Sequence, residues 1–299
     1  MSLGSYRTWG IAFAIAGTLA FSVRPILIKL SYAAATVSPV TLLFLRMTLS
    51  LPFFFAVAWW LRGQEPRLRG RDWAALAGLG LLGYYAASFL DFIGLQYVGA
   101  GVGRLILFLY PTLVLLLSFV FLHKHPTRRQ LIALVITYSG IALVVSTQVH
   151  GGAEGKLFAL GAALVFASAL FYAVYLVAGG ELIRRVGSMR FTAYSMVIAT
   201  LPAIVQFFLL EPVSALDLPQ AVWIYAIVLA TFSTVLPLFL QAEALKRIGA
   251  TEFGLIGALG PVSVAITSAI GLDEPFTWMQ AVGGIFVIVG VLLVSLKRS

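Results

Sequence analysis

The chain is 299 residues long, 61% hydrophobic and only 10% charged, a balance that leaves too little polar surface to cover a water-soluble fold. It contains no cysteine, which excludes disulfides, thiolate chemistry and cysteine-based metal sites. The formal net charge of +9 would suit a nucleic-acid partner only if the basic residues formed a patch on a soluble face, and they are distributed otherwise.

A helix needs about 20 apolar residues to cross the hydrocarbon core. Ten runs meet this: Trp9 to Leu30, Pro39 to Leu61, Trp73 to Tyr97, Gly101 to Leu122, Leu131 to Ser146, Leu157 to Ala178, Phe191 to Leu210, Ala221 to Leu240, Phe253 to Leu272 and Trp278 to Leu296. The first is too long for a signal-peptide core and no small-residue cleavage site follows it, so it reads as a span. The fifth is the shortest. The segments between spans are too short to hold a separate soluble domain.

With the N-terminus cytoplasmic, fifteen basic residues fall on inner segments: Arg7, Arg62, Arg67, Arg69, Arg71, Lys124, Arg128, Arg129, Arg184, Arg185, Arg190, Lys246, Arg247, Lys297 and Arg298. Only Lys29 and Lys156 fall outside. This bias orients multispanning proteins and predicts both termini in the cytoplasm of a bacterial inner (plasma) membrane. The basic residues are then topology signals beside anionic lipid, with no nucleic-acid role.

Sliding the sequence by 150 residues superimposes Ser38 on Ser188, Leu51-Pro52 on Leu201-Pro202, Trp73 on Trp223 and Phe89-Leu90 on Phe239-Leu240. Gly99-Ala100 then fall on Gly249-Ala250, Leu105-Ile106 on Leu255-Ile256, Pro111 on Pro261, Thr127 on Thr277, Gln130 on Gln280 and Gly140 on Gly290, without a gap. Between Leu95 and Val144 there are fifteen identities in fifty positions. The chain divides into a first five-helix unit, 1–150, and a second, 151–299. Because five is odd, the second enters the membrane from the opposite side, and such inverted repeats are how transporters obtain two related conformations around a midplane site.

These residues resemble the drug/metabolite transporter superfamily and its EamA-type members. The resemblance is carried by Ser38-Pro39 followed by Leu45-Arg46, by Pro111 and Pro261 in the fourth helix of each repeat, and by Asp273-Glu274 with Thr277, Gln280, Gly284 and Gly290. The first repeat departs from that last pattern, with His123, Lys124 and His125 where the acid would stand. The resemblance implies an all-α membrane exporter whose central cavity is lined by helices one, three, four, six, eight and nine, with the fifth and tenth peripheral. It is nearest in look to bacterial amino-acid exporters, those for aromatic amino acids included.

Ionisable residues within spans are functional candidates because facing lipid is costly. Arg24, Arg46, Asp91 and Arg104 all fall in the outer half, Arg46 roughly 12 Å deep. Three arginines against one aspartate leave two formal positive charges, and a guanidinium fork suits a carboxylate on an anionic or zwitterionic substrate. Snorkelling of Arg24 and Arg104 is the plainer alternative. Glu243, Lys246, Arg247 and Glu252 lie towards the inner end, and Glu243 and Glu252 form a candidate inner gate.

Helical spacing stacks Tyr84, Ser88 and Asp91 on helix three, Ser168, Tyr172 and Tyr175 on helix six, and Thr231, Thr234 and Gln241 on helix eight. With Tyr110 and Phe171 they predict an aromatic-lined pathway, packing being the alternative. Pro25, Pro111, Pro237 and Pro261 interrupt span interiors and are candidate hinges, while Pro52 and Pro202 form a matched pair. Gly283, Gly284 and Gly290 could pack helix ten within one copy or against a second, so the oligomeric state stays open.

The function predicted is a secondary transporter exporting a small-molecule substrate, with aromatic or neutral amino acids foremost, by alternating access. Asp91 or Glu243 could couple it to protons, or it could work by facilitated diffusion. A drug or organic-cation exporter is the alternative, against which the arginine surplus argues. An intramembrane enzyme would need a motif such as HExxH, GxGD or GxSG; none occurs, and His123, His125 and His150 sit in loops. No cofactor or metal is expected.

Overall fold

The computed structural model describes residues 3–63, 67–122, 128–146, 153–257, 259–272 and 277–295. Among the described residues there are helices and no strands. In chain order the α-helices are α1 (Leu3–Ser22), α2 (Arg24–Ala34), α3 (Pro39–Trp60), α4 (Gly70–Gly80), α5 (Ala87–Gly94), α6 (Ala100–Leu107) and α7 (Tyr110–Leu122). They continue with α8 (Arg128–Ser146), α9 (Ala153–Val186), α10 (Ser188–Leu210), α11 (Gln220–Ala230), α12 (Leu236–Gly257), α13 (Leu259–Gly271) and α14 (Trp278–Ser295).

Among the described residues, seven stretches are long and apolar enough to cross a membrane: Tyr6–Ala34, Pro39–Trp60, Gly70–Gly94, Ala100–Phe121, Glu154–Gly179, Ser188–Leu210 and Gln220–Gln241. The fifth, ninth and tenth runs read from the sequence coincide with α8, α13 and α14, which are helical but outside those seven. The first run is not one uninterrupted helix. Pro25 has no N–H to continue α1, so the chain breaks at Val23 and restarts as α2, with Leu27 N donating to Val23 O at 3.1 Å. Just before the break, the Ser22 hydroxyl donates to Thr18 O at 2.7 Å.

Large apolar side chains cover the outside, Trp60 (75% exposed) and Leu209 (76%) among them, while arginines and serines are buried within. That inside-out distribution suits a lipid solvent. Packing runs between the halves. α3 lies against α10, α8 against α14, α1 against α12, and α9 against α5. The first two are pairs of helices related by the 150-residue offset, and the last two are each other's mates, the pattern a two-fold relation between halves produces. At α8 and α14 the backbones nearly touch within one copy: a methyl at Gly140 would stand 2.6 Å from the Gly283 carbonyl oxygen.

Two short π-helical segments, Leu81–Ala86 and Thr231–Val235, interrupt the stretches Gly70–Gly94 and Gln220–Gln241 at equivalent positions of the two halves. Each widens the helix by one residue per turn and re-aims the side chains that follow, as such bulges do at functional sites.

Candidate functional site

The π-helical segments, α1, α3 and the α6/α7 break surround one central cavity of about 120 Å³. Arg24, Arg46, Tyr84, Ser88, Asp91, Arg104, Tyr110, Ser168, Tyr172, Thr234 and Gln241 line it, eleven of the twelve pathway residues read from the sequence. Tyr175 is the exception. It is buried behind the lining, donates its hydroxyl to Tyr84 Oη at 2.8 Å and stacks on Tyr172 with ring centroids 5.7 Å apart.

Lining residues fall into repeat-related pairs 150 positions apart: Thr18 with Ser168, Arg46 with Met196, Gly83 with Ser233, Tyr84 with Thr234, Ser88 with Leu238 and Asp91 with Gln241. The cavity thus sits where the two halves face each other. Charge is distributed differently, because every ionisable lining group with a carboxylate or guanidinium belongs to the first half.

Arg24 Nη2 stands 3.3 Å from Asp91 Oδ2. Arg46, only 3% exposed, donates from Nη2 to Ser88 Oγ at 3.0 Å. Arg104, 8% exposed, has no carboxylate partner among the described residues. Two phenylalanines separate the like charges. The Phe21 ring lies 4.7 Å from the Arg104 guanidinium carbon and 5.7 Å from that of Arg24, and the Phe92 ring 5.4 Å from Arg24 and 5.5 Å from Arg46. The result is an alternation of Arg104, Phe21, Arg24, Phe92 and Arg46, each ring offering its negative face to two cations. Such contacts contribute about 0.5–2 kcal/mol each. They offset only part of the several kcal/mol that burying an ion costs.

Aromatic packing forms another part of the wall. Tyr110 meets Tyr172 edge to face at 5.2 Å, and Tyr84 meets Tyr175 at 5.0 Å. Gly83 brings α9 close enough for this, since any Cβ there would overlap the Tyr175 ring. Thr234 donates to Leu229 O at 2.8 Å, five residues back as the π-turn dictates, and Ser233 presents a buried hydroxyl with no hydrogen-bond partner.

Among the candidate hinge prolines, Pro25 is the second residue of α2, Pro111 is the second residue of α7 after the break at Phe108–Leu109, Pro237 is the second residue of α12 after the π-turn Thr231–Val235, and Pro261 lies in the first turn of α13. Glu243 pairs with Arg247 one turn along at 2.8 Å and is away from the lining; Arg247 in turn covers the Tyr6 and Phe13 rings. The side chains of Glu252 and Lys246 lie outside the described residues, as do His123, Lys124, His125, His150 and Asp273-Glu274.

Sequence reasoning missed Thr18, Phe21, Met196, Ser233 and Leu238 in the lining and Phe92 beneath the guanidiniums. The offset was the available signal for Thr18, Met196 and Leu238, each a mate of a residue already singled out. Phe21 and Phe92 carry no such signal, because a phenylalanine in an apolar span is what lipid contact also requires.

The model of the EamA-like transporter family matches residues 8–146 and again residues 159–296. The chain therefore belongs to the EamA-like transporter family of the drug/metabolite transporter superfamily; it is a multi-pass membrane transporter built from two EamA repeats. It is similar to "Uncharacterized transporter YcbK" of Bacillus subtilis, 30% identical over 97% of this chain and 95% of the relative. "Uncharacterized transporter YyaM" of the same organism is 29% identical over 73% of this chain and 71% of its own. An "Uncharacterized transporter" of Archaeoglobus fulgidus is 26% identical over 87% and 89%. A solved structure described as "Crystal structure of protein" superposes with a TM-score of 0.66 over 95% of both chains at 15% identity, a likeness of fold.

Proposed function

We propose that this transporter exports small carboxylate-bearing metabolites, aromatic or neutral amino acids among them, by alternating access through the central cavity. Ten spans in two inverted halves, with the boundary near residue 150 and both termini cytoplasmic, are the topology this reading uses, in the inner membrane of a bacterium. The observation that carries it is the convergence of three guanidiniums and a wall of tyrosines on one buried cavity at the junction of the two halves. Guanidiniums hold a carboxylate through paired hydrogen bonds, and aromatic walls take an apolar body. The same surplus of positive charge opposes an organic-cation substrate. Pro25, Pro111, Pro237 and Pro261 are the positions at which helices would bend, and the Glu243–Arg247 turn, with Glu252, would close the inner side.

The test is flux of labelled amino acids, aromatic and aliphatic, in liposomes containing the purified protein, with and without a pH gradient. Saturable uptake competed by related amino acids supports the reading, and a pH-gradient dependence lost in Asp91→Asn assigns proton coupling to that carboxylate. Absence of flux for every amino acid refutes the amino-acid assignment.

A further inference from the structure

Charge in the cavity is one-sided. The mates of Arg24, Arg46, Asp91 and Arg104 in the second half are Val174, Met196, Gln241 and Gly254, none of them charged. Three guanidiniums and one carboxylate, a formal +2, therefore face the cavity from the first half alone. The carboxylate is already engaged, Asp91 with Arg24. Arg46 is held by the neutral hydroxyl of Ser88, and Arg104 by the ring face of Phe21. The Nε of each of the three arginines is buried without a hydrogen-bond partner. Ring faces and a hydroxyl do not neutralise cations, and buried charge is stable only when an opposite charge and hydrogen bonds accompany it. A zwitterion brings a carboxylate but also an ammonium, which would enter a field of net positive sign and find the one carboxylate occupied.

We infer that the preferred substrate is a net anion: a carboxylate held by Arg104, the cavity guanidinium with neither a carboxylate nor a hydroxyl partner among the described residues, joined to an apolar or aromatic body that lies towards Met196, Leu238 and Phe108, with no ammonium group. The chemical class is a monocarboxylate such as an aryl-substituted alkanoate or its 2-oxo or 2-hydroxy relative. This rests on the central cavity being the transport pathway. It also names a driving force. Each anion carried out of a cell with a negative interior moves down the membrane potential, so net export needs no coupling ion.

Three probes with one phenylethyl body separate the charge states: 3-phenylpropanoate is the anion, phenylalanine the zwitterion and phenethylamine the cation. Calorimetric titration of the full-length purified protein should give 3-phenylpropanoate at least about tenfold tighter than phenylalanine, with phenethylamine weakest. Arg104→Gln and Arg46→Gln should each narrow that gap, and Arg104→Lys should keep its direction. In liposomes, 3-phenylpropanoate efflux should accelerate when an imposed potassium diffusion potential makes the interior negative. Equal or tighter binding of phenylalanine or phenethylamine overturns the inference using the unaltered protein alone, whatever the variants do. Binding of none of the three also overturns it, and saturable amino-acid flux would then leave the transport reading intact. Tight binding of the anion without flux of any solute would do the reverse.

Discussion

Replacing Asp91 by asparagine keeps the shape of the side chain and removes the one carboxylate that lines the cavity beside three arginines. Asp91 is 6% exposed, and its Oδ2 lies 3.3 Å from Arg24 Nη2. At that separation and an effective dielectric near 20 the attraction is about 5 kcal/mol. Losing one partner of a buried pair costs about 3–5 kcal/mol, because the remaining ion stays desolvated. Here that ion is one of three guanidiniums, so the formal charge of the cavity rises from +2 to +3. At about 2 °C per kcal/mol for a chain of this size, the midpoint of thermal unfolding in detergent should fall by about 6–10 °C. Adding Arg24→Gln returns the cavity to +2, and the double variant should regain most of the loss, a coupling of about 2 kcal/mol or more. A fall of under about 2 °C in Asp91→Asn, or additive losses in the double variant, would refute the pairing as the role of this carboxylate.

Three further substitutions test the surroundings. Tyr84→Phe removes the acceptor of the Tyr175 hydroxyl and should lower stability by about 1 kcal/mol, read as a small drop in thermal midpoint, while leaving the ring contacts in place. Gly83→Ala drives a methyl into the Tyr175 ring and should cost about 1–3 kcal/mol, more than the roughly 1 kcal/mol alanine gains in helix propensity, so the same assay should show net destabilisation. Ser38→Ala deletes the N-cap of α3, whose Oγ accepts from Thr41 N at 3.1 Å and also contacts Glu211; a loss of about 1 kcal/mol is expected in chemical or thermal unfolding.

Much of the architecture was readable because lipid simplifies the rules. Apolar runs report helices directly, and an offset that superimposes Pro52 on Pro202 and Pro111 on Pro261 reports the repeat. Polar faces such as Tyr84, Ser88 and Asp91 stand out against an apolar background, and the side chains on that face line the cavity. Tyr175 shows where spacing alone runs out. It shares a helical face with Tyr172, yet one turn further it meets the Tyr84 hydroxyl instead of the cavity, since the close approach at Gly83 places α9 directly against the third span. The π-turns had no local sequence signature: LLGYYA and TFSTV share little except their position in the repeat.

The two kinds of symmetry in this molecule bear on how it works. Backbone features recur in both halves: the π-turns, the prolines of the second helices, the mated packing of α1 on α12 and of α9 on α5. Those are features that shape the fold, and a two-fold relation gives each of them a counterpart in the other half. The charges do not recur, and two copies of an Arg–Phe ladder would double an already uncompensated positive charge in one cavity. Met196, standing where symmetry would place a second Arg46, is thus as informative as the arginine itself. A guanidinium introduced there as Met196→Arg would add a fourth buried cation to a cavity whose one carboxylate is already paired with Arg24. It should cost several kcal/mol of stability, whereas Met196→Leu, which conserves volume, should cost less than about 1.5 kcal/mol. Comparable thermal midpoints for the two variants would show that the cavity tolerates charge on either half, and the asymmetry would then carry no functional meaning.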